Sequence, residues 1–333
     1  MNPKSGFMLY LMANSKMRVA VAGTNTLALM ISHAIVTETS HSLVILSRQA
    51  QPNLTSQGYQ VLVVDYNDQN SIQHAVTGVD TVISTVTGLP ELRLLEACVA
   101  QRVRRFAPAE FEGRPSARPS NDPLDRGKKT ILDWLDYYKS SVDLESTVFV
   151  CGVLYERFGP GGLAAHRLGL NTSLCNEGDY IINCRTMEAN APVYNANNQA
   201  NVYVCMIGVQ DAARFITRAL DLARWPREMT MAAERMTVNE IIDTVVRVRG
   251  TPLTSETWHS PATLRHELQL AEMFNDIPRQ MRAHDHLATI NGRYVFSAPG
   301  NLRNSAITRD IVPVRFETWL RSVWAGHVHV TEP

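Results

Sequence analysis

The sequence lacks an excess of charge of either sign: 32 basic side chains meet 32 acidic ones in 333 residues. No global field therefore draws the chain to nucleic acid or to an anionic membrane, and neither partner is expected. The basic run Arg102-Val103-Arg104-Arg105 is interrupted by an apolar residue and reads as a solvated helix end. No CxxC pair occurs among the five cysteines (Cys98, Cys151, Cys175, Cys184, Cys205), and so odd and sparse a set excludes a disulfide scaffold. The five read as reduced packing residues, and the expected location is the cytoplasm. Apolar runs long enough to span a bilayer are missing; Phe7–Met12 is shorter even than a secretory core. Residues 1–17 are expected to be a flexible extension. Gly-x-Ser-x-Gly elbows, Walker loops and internal repeats are absent as well. His284-x-His286 and His327-x-His329 can each place two imidazoles on one strand face, but neither has a third ligand at a telling spacing, so no metal is expected.

What is present is an alternation of short β-rich runs with helical periodicity. Arg18–Ala22, Leu43–Leu46, Val61–Val64, Thr81–Val86 and Arg105–Ala107 read as strands. Helices are predicted between them over 26–39, 71–77 and 90–102, and again from Lys128 to Lys139 before a strand at Thr147–Val150. Parallel strands need such long crossovers, and near-continuous Val, Ile and Leu means that both sheet faces are covered. The fold class is α/β, a doubly wound parallel-sheet Rossmann fold with a smaller C-terminal substrate lobe. The expected division is a nucleotide-binding domain over 18–152 and a mainly substrate-binding lobe over 153–330, with some elements of the latter returning to the sheet. Residues 111–127 are polar and Pro-rich, a loop that can be mobile over the site. Beyond it, helices are predicted over 211–222 and 238–248, and the segments 251–290 and 313–324 are read as helical and as forming most of the substrate lobe.

The first strand ends in Gly23-Thr24-Asn25-Thr26-Leu27-Ala28, where a Rossmann fold turns and presents helix N-terminal amides to a pyrophosphate. Gly23 can make the turn and Ala28 can serve where close helix–sheet packing is needed. Asn25 and Thr26 stand where a glycine is usual. Arg48, at the end of the second strand, replaces the acid of an NAD site with a cation suited to the 2′-phosphate of NADP. Lys128 opens the helix after the loop; near a nicotinamide it can bind the ribose and exchange a proton with substrate, helped by the cationic neighbours Lys129 and Arg126. Position 124 is Leu, so the Tyr-x-x-x-Lys pair of common short-chain dehydrogenases is absent.

These residues resemble the NmrA-like, isoflavone-reductase-like branch of atypical short-chain dehydrogenases, over about Met17 to Trp324. Val21–Ala28 is similar to the family's Gly-rich turn, Leu46-Ser47-Arg48 to its NADP-selecting strand end, and Val64-Asp65-Tyr66 to its third-strand end. Arg105–Phe111 matches its "RFxPSEF" motif with Ala109 replacing the Ser. Lys128–Ile131 matches its "KxxV" helix, which puts the family's catalytic lysine at Lys128. Cys151–Leu154 followed by Phe158-Gly159-Pro160 resembles the segment that walls the pocket, and Val209–Phe215 its "DvArF" helix. The Val64–Tyr66 and Trp225–Gly250 stretches look most like fungal members, many of them in secondary-metabolite pathways. The resemblance implies NADP(H) as cofactor, a small-molecule substrate and hydride transfer to a conjugated or benzylic group. It implies cofactor contacts from Gly23–Ala28, Arg48, Asp65, Thr85-Val86-Thr87, Ala107-Pro108, Lys128 and Gly152. Glu110, Phe111, Val153, Leu154 and Phe158 are expected at the substrate pocket. The leading expectation is an NADPH-dependent reductase of an aromatic or alkaloid-like natural product. A non-redox isomerase or cyclase with a structural NADP site, and an NADP(H)-sensing regulatory protein, stay open beside it. Substrate identity and oligomeric state are not legible.

Overall fold

The computed structural model describes residues 16–325 apart from Asn171 and Pro299. The expected extension falls outside them but for its last two residues, and so do His327 and His329.

β-Branched and aliphatic runs form strands because such side chains pack well on a pleated, covered surface. In chain order these are β1 (Arg18–Ala22), α1 (Thr26–Glu38), β2 (Ser42–Ser47), α2 (Pro52–Ser56), β3 (Val61–Val63), α3 (Gln69–Val76), β4 (Thr81–Ser84), α4 (Leu89–Ala100), β5 (Arg105–Ala107), α5 (Lys128–Val142) and β6 (Glu145–Ser146). The six strands form one sheet in the order β3-β2-β1-β4-β5-β6, and every neighbouring pair is parallel. Val19, Val21 and Ile45 bury one face of it, and Ala20, Ala22, Val44 and Leu46 bury the other. The chain reverses its winding between β1 and β4, which opens a crevice at the carboxyl ends of the strands.

The remainder comprises β7 (Val148–Val150), β8 (Val153–Leu154), α6 (Gly162–Ala165), β9 (Ile182–Asn183), β10 (Glu188–Ala191), β11 (Tyr203–Ile207), α7 (Val209–Ala219), β12 (Glu228–Thr230), β13 (Glu234–Thr237), α8 (Val238–Arg249), β14 (Ser255–Trp258), α9 (Pro261–Met273), α10 (Ile277–Ile290) and α11 (Phe316–Trp324). The expected strand at Thr147–Val150 is real, but β7 pairs in parallel with β12. The sixth strand of the main sheet is the polar dipeptide just before it. α7 packs on α1 with Val209, Ala212, Ala213, Phe215 and Ile216 in the core that lines the sheet. α8 starts with a reciprocal cap between Thr237 and Glu240 and stops at Gly250 in the left-handed region. The stretch expected to be helical from 251 begins instead with β14, parallel to β10.

Two expectations need correction. Arg105 is no solvated helix end: it is 1% exposed in β5. Its guanidinium donates to Glu145 at 2.7 Å and to the carbonyls of Leu220, Leu222 and Ala223, and lies over the Trp225 ring. A cation can be buried here because each of its three nitrogens meets an acceptor. His284 and His286 lie on α10, not on a strand, and two positions apart on a helix face different ways. All five cysteines are buried free thiols. Among the described residues no helix is long and apolar enough to cross a membrane.

Candidate active-site cleft

A cleft of about 1010 Å³ runs over the carboxyl ends of β1, β2 and β4 and under the segments following β5, β8 and α6. At one end lies the first βα turn. Gly23 has φ +120, and a Cβ there would run into the Thr85 hydroxyl, which donates to the Ala22 carbonyl at 2.9 Å. Only glycine fits this approach. Asn25 is extended (φ −75), so the turn does not require a glycine at that point. Its side chain caps α1 by accepting from the Ala28 amide at 2.9 Å, and the Thr26 amide donates to the His166 carbonyl at 3.0 Å. Among the described residues the amides of Thr24, Asn25 and Leu27 have no hydrogen-bond partner, and no acidic residue stands in the first turn of α1. A pyrophosphate is matched by such a set: free amides at the positive end of a helix, with no carboxylate to repel it.

Beside this turn the end of β2 brings Ser47, Arg48, Gln49 and Gln51 to the cleft. The Tyr66 hydroxyl is buried without a partner; burial pushes its phenol up, although the nearby Arg48 charge acts the other way. These groups fit the phosphorylated ribose of NADP(H): a cation with no acidic contact among the described residues, next to an unsatisfied hydroxyl.

Further along the cleft lie Thr85, Val86, Thr87, Ala109, Glu110, Phe111, Lys128 and Leu154. Lys128 Nζ is 3.3 Å from Glu110 Oε1. The neighbour in contact with this amine is thus a carboxylate, while Lys129 turns away to Asp133 at 2.6 Å. Glu91, at the start of α4, accepts from the Ala109 amide at 2.6 Å and so holds the chain where it enters the cleft. Burial pushes its carboxyl up to about 7, against the Ala109 hydrogen bond and the charge of Lys128.

The loop 111–127 is strapped down by ions rather than left free. Arg118 contacts Glu110, lies 3.2 Å from Asp125 and 3.9 Å from Asp122, and Asp122 in turn meets Arg293 at 2.8 Å. Glu112 takes Arg157 with both oxygens at 2.9 Å; burial alone would raise its carboxyl, but the Arg157 guanidinium holds it below the usual range.

Several residues expected at the site lie elsewhere. Thr26 does not line the cleft because its amide is turned to His166, and Ala28 is fully buried against the sheet. Asp65 is exposed and closes its own turn onto the Asn67 amide at 2.8 Å; the next residue, Tyr66, reaches the cleft. Ala107 is still in β5 and Pro108 is buried just beyond it, and the chain reaches the cleft only at Ala109. Gly152 packs on β11: its φ is +72 and a Cβ would meet the Cys205 carbonyl. Val153 and Phe158 belong to the second core, with Tyr155 and Phe316. Arg118, Arg157, Asp285, Arg293 and Tyr294 line the cleft without having been anticipated. Nothing in local sequence marks them, since their partners lie far away along the chain.

No family model matches the chain. It is 23% identical over 267 residues, 74% of its length and 82% of the relative's, to Oxidoreductase BOA1 of Botryotinia fuckeliana (strain B05.10). In three dimensions it resembles AtPrR2 solved with NADP+ and (+)pinoresinol: TM-score 0.68, 18% identity, covering 92% of this chain and 99% of that one. It also resembles the binary complex of leucoanthocyanidin reductase with NADPH from Vitis vinifera, with TM-score 0.66 and 15% identity over 92% and 98% of the two chains. The chain has the Rossmann fold of these structures, in agreement with the fold implied by the NmrA-like, isoflavone-reductase-like resemblance that its motifs carry.

Proposed function

We propose that the chain is an NADP(H)-dependent oxidoreductase that reduces a small molecule of aromatic or alkaloid-like kind in natural-product biosynthesis. The observation that carries this reading is the coincidence, in one cleft, of three unpartnered helix-start amides with Arg48 at the end of β2. Backbone amides and a cation so arranged suit a dinucleotide with a phosphorylated ribose. The names of the relatives and the cofactors in the similar structures support the same choice. When bound, the cofactor supplies the hydride.

The chain's own groups do the rest. The amides of Thr24, Asn25 and Leu27 hold the pyrophosphate, and Arg48 with the Tyr66 hydroxyl grips the 2′-phosphate. Thr85, Val86 and Thr87 at the end of β4 border the middle of the cleft and keep water from the reacting face. Lys128, oriented by Glu110, donates a hydrogen bond to the ribose and hands the proton that accompanies reduction to substrate. Removing the amine by Lys128→Ala is expected to slow single-turnover NADPH oxidation by about 10²–10⁴-fold while NADPH still binds. Turnover as fast as wild type would remove Lys128 from the chemistry. Product of unchanged mass, formed with no loss of NADPH absorbance, would replace the reductase by an isomerase or cyclase.

A further inference from the structure

At the far end of the cleft the buried charges come in contact pairs, with one exception. Glu110 has Lys128 and Arg118, Asp122 has Arg293, and Glu112 has Arg157. Asp285, in the middle of α10, is 2% exposed and lines the same cleft. Its Oδ1 accepts from the Tyr294 hydroxyl at 2.6 Å, but its Oδ2 is buried with neither a hydrogen bond nor an ion pair. Arg157 is near enough for its charge to act on Asp285 but makes no hydrogen bond or ion pair with it: Nε and Nη2 go to Glu112, and Nη1 donates to the Leu174 carbonyl at 3.1 Å. Arg293 gives Nη2 to Asp122. A buried carboxylate oxygen without a donor is costly, and in a native fold it calls for an explanation.

We propose that Asp285 is the substrate anchor of this cleft, its Oδ2 accepting an N–H from an ammonium or iminium group, so that the chain selects molecules with a cationic nitrogen. The proposal rests on the reading of the cleft as a reductase site and narrows its substrate class. Tyr294 is the positioning residue, because its hydroxyl fixes the rotation of the carboxyl and turns the second oxygen away from its own bond. A helix carries Asp285, which makes the anchor rigid. Burial raises its carboxyl above the ordinary range, with Arg157 and the Tyr294 bond opposing. The compensation still missing is a cation in contact, and a substrate nitrogen supplies one. The opposite preference has its own candidate donor, the buried and unpartnered Nε of Arg293, which an anionic ligand would use.

Three probes of similar size separate these cases: benzylammonium, neutral benzyl alcohol and anionic benzoate, titrated into the chain saturated with NADP⁺ and followed by ligand-observed NMR. Benzylammonium is expected to bind at least about tenfold more tightly than either other probe. In Asp285→Asn, whose melting curve reports that it folds, that preference shrinks to within about threefold. Equal or tighter binding of benzyl alcohol or benzoate to wild type overturns the proposal, as does a preference that survives Asp285→Asn. Absence of binding by all three probes overturns it too. If Asp285→Asn does not fold, the wild-type ranking decides alone. Should NADP⁺ itself fail to bind, the reductase reading falls, and the same ranking on the unliganded chain still decides the anchor.

Discussion

Replacing Arg118 by Met keeps the aliphatic stem and removes the guanidinium that ties the 111–127 strap to the cleft. The side chain is 10% exposed and serves three carboxylates. Breaking a buried pair from one side costs about 3–5 kcal/mol, because a charge is left behind unpaired. Here two of the three acids keep a second cation: Glu110 retains Lys128, and Asp122 retains Arg293. Only Asp125, at 20% side-chain exposure, is left without an ion pair among the described residues; it keeps the amides of Gly127 and Lys129, and water reaches it. The expected cost therefore sits at the low end, about 3 kcal/mol. At about 2–4 °C per kcal/mol for chains somewhat shorter than this, the melting temperature falls by about 6–12 °C. Differential scanning calorimetry reads this directly, and trypsin should cut the variant faster after Arg126, inside the released strap. Adding Asp125→Asn to Arg118→Met should recover part of the loss, since the stranded charge is then gone. A melting temperature within about 1 °C of wild type would mean that the ion pairs do not hold the strap, and the argument would fail.

Two further outcomes follow from buried groups. Glu91 has its carboxyl raised to about 7 from an ordinary 4.5, so the folded chain holds a proton that the unfolded chain has released. Stability from this group is fully present below pH 4.5 and is lost as pH rises toward 7. Denaturant titrations across that window should show a shallower decline in Glu91→Gln than in wild type, and identical slopes would refute the assignment. Gly152→Ala adds a Cβ against the Cys205 carbonyl at a positive φ, whereas Gly250→Ala shares the positive φ with nothing within 4 Å. The second should cost about 1–2 kcal/mol and the first clearly more, and a comparison of urea midpoints separates them.

The doubly wound sheet was legible because its strands announce themselves: Val19–Ala22 and Leu43–Leu46 are buried on both faces and so contain almost nothing but aliphatic residues. β6 was not, since Glu145 and Ser146 join the sheet edge through backbone bonds and the Arg105–Glu145 ion pair and carry no hydrophobic signal. Turn residues were read correctly where one residue decides the geometry, as at Gly23, and misplaced where one step along the chain matters. Asp65 and Tyr66 are neighbours, yet only the tyrosine faces the cleft; Ala107 lies in the sheet layer and Ala109 beyond it. Arg105 misled for a different reason: its carbonyl partners sit about a hundred residues downstream, where no periodicity can point to them. The acidic and basic lining of the far end was illegible on the same ground. Glu112 and Arg157 are separated by 45 residues, and Asp285 is notable only for what it does not touch.

The measurement that bears most directly on the whole account is calorimetric titration of the purified chain with NADPH and NADH. The geometry predicts micromolar NADPH binding with NADH distinctly weaker, and a loss of about 10–100-fold for NADPH in Arg48→Ala with little change for NADH, because one charge-assisted contact to phosphate is removed. Equal affinity for the two nucleotides, or no binding of either, would contradict the assignment of this cleft to NADP(H).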